Sequence, residues 1–260
     1  MEPLLGKKKL GYVVGAVTDI LLPRTCAVCG ARLDTDEAYL CRECMSDIPF
    51  TYNWGRKYHA IADRLNLIIQ QDLHEYEPYS FVSSLFFYNE DNDYRHICHR
   101  LKYQGDIRIG RYFSRELGKR LKDSPLFRDI DLVIPVPLHW TRKWDRGYNQ
   151  AAIIGREIAG VLNAGYMPDF LVRKKKTASQ TTLDLEQKKA NVSDAFSVSE
   201  KARKIFAPET GSKTLPGHVL ITDDVFTSGA TTAACRRVLR TVFPPEVRIS
   251  VATLAAVEEE

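Results

Sequence analysis

The sequence predicts an α/β fold, a mostly parallel sheet with helices on both faces, preceded by a small four-cysteine module. Short apolar runs suited to buried strands alternate with longer segments of helical periodicity. Near the N-terminus two cysteine pairs, Cys26/Cys29 and Cys41/Cys44, stand in a C-x2-C-x11-C-x2-C arrangement. The chain has 260 residues, 44% of them hydrophobic, which allows one full core and a small appendage.

Taken in order, Lys7, Lys8 and Lys9 precede an apolar run from Tyr12 to Leu22. The run imitates a secretory signal, but no small-residue cleavage site follows and the cysteines begin at once, so a short helix packed on the module is preferred. Each cysteine pair can present two thiolates to one tetrahedral ion, and four thiolates close the coordination sphere, which points to structural zinc. Redox thiols or chance spacing are the competing readings. So small a segment buries little apolar surface, and metal binding would supply its folding energy. Ile61, Leu65, Ile68, Ile69 and Leu73 recur at helical spacing, giving a spacer helix that ends before Glu77-Pro78.

The main domain opens with a strand near Ser84 to Tyr88 and two helical patterns, the second marked by Ile109, Tyr112, Phe113, Leu117 and Leu121. A strand over Asp131 to Val136, a helix over Gly147 to Asn163, a strand over Val219 to Thr222, a helix over Gly229 to Val242 and a strand over Val247 to Leu254 follow. The expected division is 1–50 for the N-terminal helix and zinc-ribbon-like module, 51–80 for the connector and 81–257 for the main domain. Ligands belong where strand carboxyl ends meet helix amino ends.

A formal net charge of +4 is too mild to declare a nucleic-acid binder. No apolar stretch approaches the roughly 18 residues of a membrane span. Paired cysteines with metal spacing suit a reduced, cytoplasmic setting, and Cys98 and Cys235 read as buried filler.

At the end of the strand Val219 to Thr222, Asp223-Asp224 lead into the turn Thr227-Ser228-Gly229-Ala230-Thr231 and a helix. Backbone N–H groups at that helix start, with the hydroxyls of Thr227, Ser228 and Thr231, can surround a phosphate, and Gly229 permits close approach. The two carboxylates can accept bonds from vicinal ribose hydroxyls and help orient hydrated magnesium. An ordinary capped turn is the plain alternative. The thirteen residues Val219 to Thr231 resemble the phosphoribosyl pyrophosphate signature of the type I phosphoribosyltransferases, which implies that fold and a magnesium phosphoribosyl pyrophosphate ligand. Hypoxanthine-type members carry an acid where this chain has Thr227, which argues against that purine subclass.

Two basic segments add to the site. Arg142, Lys143 and Arg146 follow the strand Asp131 to Pro137, and a departing pyrophosphate needs such cations. The segment from Arg173 to Gln180, followed by Leu183, Lys188, Asn191 and Phe196, is polar and irregular, suited either to a hood over the sugar or to a plain surface loop. Trp140, Trp144 and Tyr148 interleave with the first set of cations, as in single-strand binding or simple loop packing.

Together, the cysteine module, Leu101 to Gly105, the block from Pro135 to Gln150, the Arg173-x3-Thr177-x2-Gln180 stretch and the closing signature resemble the ComF family over nearly the whole chain. That resemblance implies a zinc-ribbon-like module on a phosphoribosyltransferase domain, transfer of phosphoribose to an unidentified acceptor, and a link to DNA uptake in natural transformation. It implies ligand-contacting roles for Asp223, Asp224 and the 227–231 turn, for Arg146 and Gln150, and for Arg173, Thr177 and Gln180, with Asp223, Asp224 and Arg173 as the catalytic set. Arg142 and Lys143 join the ligand-binding set on the charge argument alone, a solvated basic loop being the alternative. Lys175 and Lys188 stand where members carry arginine, losing the bidentate fork. Single-stranded DNA and a competence helicase are the partners this reading suggests. A single-strand-handling factor or a phosphoribosyl pyrophosphate sensor without turnover are the other readings.

Overall fold

The computed structural model describes residues 24–72, 77–89, 92–138, 144, 146–173, 195–206 and 214–257. The N-terminal helix expected over Tyr12 to Leu22 and most of the 173–196 segment lie outside them.

The chain runs through α1 (Arg42–Ser46), α2 (Ala60–Asp72), β1 (Val82–Tyr88), α3 (Arg95–Tyr103), α4 (Ile107–Asp123), β2 (Leu132–Pro135) and α5 (Gln150–Leu162). It continues through β3 (Gly165–Tyr166), β4 (Leu171–Arg173), β5 (Phe196–Val198), α6 (Glu200–Ile205), β6 (His218–Phe226), α7 (Ala230–Arg240) and β7 (Arg248–Val257). Five strands form one sheet in the order β1-β7-β6-β2-β3, every neighbouring pair parallel.

Strand alternation splits the core in two. Ile134, Ile221 and Val251 face α2 and α7, whereas Val133, Leu220 and Ala252 face α4, α5 and the cysteine module. α5 lies very close to β6, since a Cβ on Gly155 would stand 2.6 Å from Thr222 Oγ1. α4 presents Ile109, Phe113, Leu117 and Leu121, all buried, at the spacing the sequence predicts.

Three differences from the sequence reading bear on the site. α5 begins at Gln150 rather than Gly147, because Gly147 has φ +77° and the Asn149 side chain accepts from Ala151 N as the cap. β6 runs on through Asp223 and Asp224 to Phe226, held by pairing of Asp223 with Thr253 and Phe226 with Ala256. The segment over 165–206, left without elements by the sequence, contains β3, β4, β5 and α6, with β4 and β5 antiparallel in a sheet of their own. Phe170, Leu171, Phe196 and Val198 are buried there, so Phe196, read as part of the polar irregular segment, belongs to the core.

Candidate functional site

At the carboxyl ends of β2 and β6 a cavity of about 250 Å³ opens beside the 227–231 turn. Each wall comes from a different element. α3 supplies Lys102 and Tyr103, the start of α5 Asn149 and Gln150, the preceding segment Arg146, β4 Arg173, β6 Asp223 and Asp224, and α7 Thr231.

Lys102 Nζ lies 3.3 Å from Asp224 Oδ1. Burial, the largest single influence, lowers the Lys102 pKa, but Asp224 together with Cys98, Tyr88 and Asp223 outweighs it and the ammonium is held above its usual range. Asp223 is pushed up to about 7, first by burial and then by the neighbouring Asp224 charge. The backbone N–H of Asp224 donates to Asp223 Oδ1 at 2.8 Å and, with Lys102 and Arg173, works in the opposite direction. Two adjacent carboxylates therefore share a partly buried site with Lys102, Arg146 and Arg173, a distribution suited to a polyanion accompanied by a divalent ion.

Arg146 stacks on Tyr103, its Cζ 4.9 Å from the ring centroid, and donates Nη1 to Gln150 Oε1 at 3.2 Å. Gln150 is 2% exposed, and its Nε2 has no hydrogen-bond partner among the described residues. A buried, oriented donor left open at a cavity wall fits an acceptor on a ligand. Asn149 donates Nδ2 to Val136 O at 3.0 Å, fixing the strand end against the helix start. Arg173 stands at the end of β4 with its Cζ 5.3 Å from the centroid of Phe196 in β5, so the small second sheet aims it.

In the turn, Gly229 has φ +82°, and a Cβ there would lie 2.8 Å from Phe226 Cζ. Thr231 lines the cavity and Ala230 is half-buried, while Thr227 and Ser228 are exposed. Arg64, from the helix read as a spacer, donates Nη1 to Thr227 O at 2.7 Å, and Ile68 of the same helix is 3.5 Å from the Cβ position of Gly229. The helix thus braces the turn as well as connecting. Arg142, Lys143, Thr177 and Gln180 lie outside the described residues. Lys102 was absent from the sequence-derived set; the signal available was its place in Leu101 to Gly105, but helical spacing alone does not show that its face meets β6.

The four sulfurs of Cys26, Cys29, Cys41 and Cys44 all lie within 4.8 Å of one another. Gly30 N donates to Cys26 O at 3.1 Å with Gly30 at φ +74°, and Met45 N donates to Cys41 O at 2.9 Å, so both pairs are tight knuckles. Burial pushes the Cys26 thiol up, but N–H groups of Cys29, Cys41 and Val28 outweigh it and bring it down to about 7. This donor set fits one tetrahedral zinc ion.

Residues 17–55 match the double zinc ribbon domain family. The chain is 25% identical over 230 residues to competence protein F of Haemophilus influenzae, covering 86% of this chain and 94% of that protein. DNA utilization protein YhgH is 27% identical over 146 residues in Escherichia coli strain K12 and 30% identical over 146 residues in Salmonella typhimurium, covering 55% of this chain and 59% of each of those proteins. No helix among the described residues is long and apolar enough to cross a membrane.

Proposed function

We propose, on the premise that the chain is a homologue of competence protein F, that its sheet-end cavity binds the magnesium complex of phosphoribosyl pyrophosphate and that the protein serves in DNA handling. The relatives' names, competence and DNA utilization, support the second part. The observation that carries the first is the meeting of Asp223 and Asp224 with Lys102, Arg146 and Arg173 in one cavity. Asp223 and Asp224 suit both the ribose hydroxyls and a hydrated magnesium ion, which when bound supplies charge neutralisation of the phosphate oxygens. Lys102, Arg146 and Arg173 are placed to stabilise negative charge on a departing pyrophosphate as an acceptor attacks ribose C1. Gln150 Nε2 offers a donor that fixes the ligand's orientation.

Calorimetric titration of phosphoribosyl pyrophosphate with and without magnesium, into the wild type and an Asp223→Asn/Asp224→Asn variant, tests this. Magnesium-dependent binding should weaken at least about tenfold in the variant. Binding without pyrophosphate release across an acceptor screen would leave a sensor rather than a transferase. A folded wild type that binds no phosphoribosyl pyrophosphate would overturn the reading.

A second reading rests on Trp144, 86% exposed and two residues before Arg146, which stacks on Tyr103, a combination suited to base stacking beside backbone phosphates. Salt-sensitive binding of single-stranded DNA that is lost in Trp144→Ala would favour it, and equal binding by that variant would remove it.

A further inference from the structure

We infer a second anion site, for a small phosphomonoester, in a cavity of about 280 Å³ that shares no lining residue with the first. It lies where the N-terminus of α2 meets the chain segment that edges β1. Arg56 and Arg64 line it, and among the described residues no carboxylate does.

Asn53 is 3% exposed and lines this cavity, and its Nδ2 has no hydrogen-bond partner among the described residues. Its Oδ1 accepts from Ser84 N at 2.9 Å, which sets the amide's orientation and leaves Nδ2 a fixed, open donor. Ala60 and Ile61, in the first turn of the 13-residue helix, also line the cavity, and leading N–H groups of a helix have no intrahelical acceptor.

The other polar walls are committed. Thr51 Oγ1 donates to Ser84 O, and His59 bonds Val82 O through Nε2 while its Nδ1 accepts from Ala62 N. Arg64 is anchored by its bond to Thr227 O. Arg56 is exposed and carries no hydrogen bond or ion pair from its guanidinium among the described residues. Donors thus come from a helix end, a buried amide and the Arg56 guanidinium, with Arg64 adding positive charge, whereas Phe87 and Val257 supply apolar surface. A tetrahedral dianion with several acceptor oxygens answers donors from separate directions, and the apolar wall suits a sugar or base carried on it.

The test uses calorimetry with three probes, inorganic phosphate, ribose 5-phosphate and adenosine monophosphate, on the full chain without magnesium. At least one should bind, and Arg56→Glu should weaken it roughly tenfold or more, the loss of one charge-assisted hydrogen bond. A Lys102→Ala/Arg146→Ala variant, which strips two cations from the first cavity, should keep this binding. Which probe binds best reports whether the apolar wall is used. No binding of any probe up to about 10 mM, a free energy too weak for the donors named, would overturn the inference. So would a loss that follows Lys102→Ala/Arg146→Ala while Arg56→Glu binds as the wild type.

Discussion

At the scale of the residue, Asp223 carries a carboxyl whose ionisation opposes folding. Its carboxyl is raised to about 7 against an ordinary 3.8, by burial first and Asp224 second. A folded-state pKa above the unfolded one means a contribution to stability that is full below about pH 4 and is lost as pH rises through 7. Asp223→Asn should therefore stabilise the ligand-free protein at pH 8, on the order of 2 kcal/mol, and change it little at pH 4. Denaturant unfolding at the two pH values checks this, and equal effects at both would count against a buried carboxylate pair. The acids and the turn were legible because their order along the chain is the signature. Lys102 and the open amide of Gln150 were not given their environments by sequence, because burial and partner geometry depend on α3 and α5 meeting β6.

At the scale of the element, strand length and helix role came from neighbours. β7 extends to Val257 through Ala255 and Ala256, residues of weak strand preference, because β1 and β6 pair on either side. α7 is tied to the segment before β1 by Arg236, 1% exposed, which donates Nη2 to Glu77 Oε2 at 2.6 Å and Nε to Ser80 Oγ at 2.8 Å. Arg240 Nε adds a bond to the same carboxylate oxygen at 2.9 Å. Glu77→Gln leaves a buried guanidinium without its counter-charge, at a cost of about 3 kcal/mol or more. Chemical denaturation should show the midpoint falling with little change in slope, whereas an unchanged midpoint would mean the pair is solvent-screened.

At the scale of the whole molecule, the cysteine module and the sheet share one buried cluster, in which Cys26, Leu33, Leu40 and Ile48 join Leu85, Phe86, Ile97 and Phe113. Phe50 bridges to Phe86 of β1, and Tyr94 donates its hydroxyl to Cys44 O at 2.7 Å. Metal removal should loosen the sheet as well as the module, so a chelator is expected to lower the melting temperature of the main transition by about 5 °C or more. Calorimetric scanning decides this, since a separate low-temperature transition with an unshifted main peak would show that the module unfolds independently. The sequence by itself determined the parallel α/β class, the cysteine knuckles and the acidic strand end with its turn, because these are local patterns of period, spacing and backbone permission. Only the tertiary structure decided that Lys102, Arg146 and Arg173 converge on that strand end, that a spacer helix braces the turn, and that the module completes the core. Those outcomes depend on contacts between residues far apart in the chain, whose geometry no local pattern encodes.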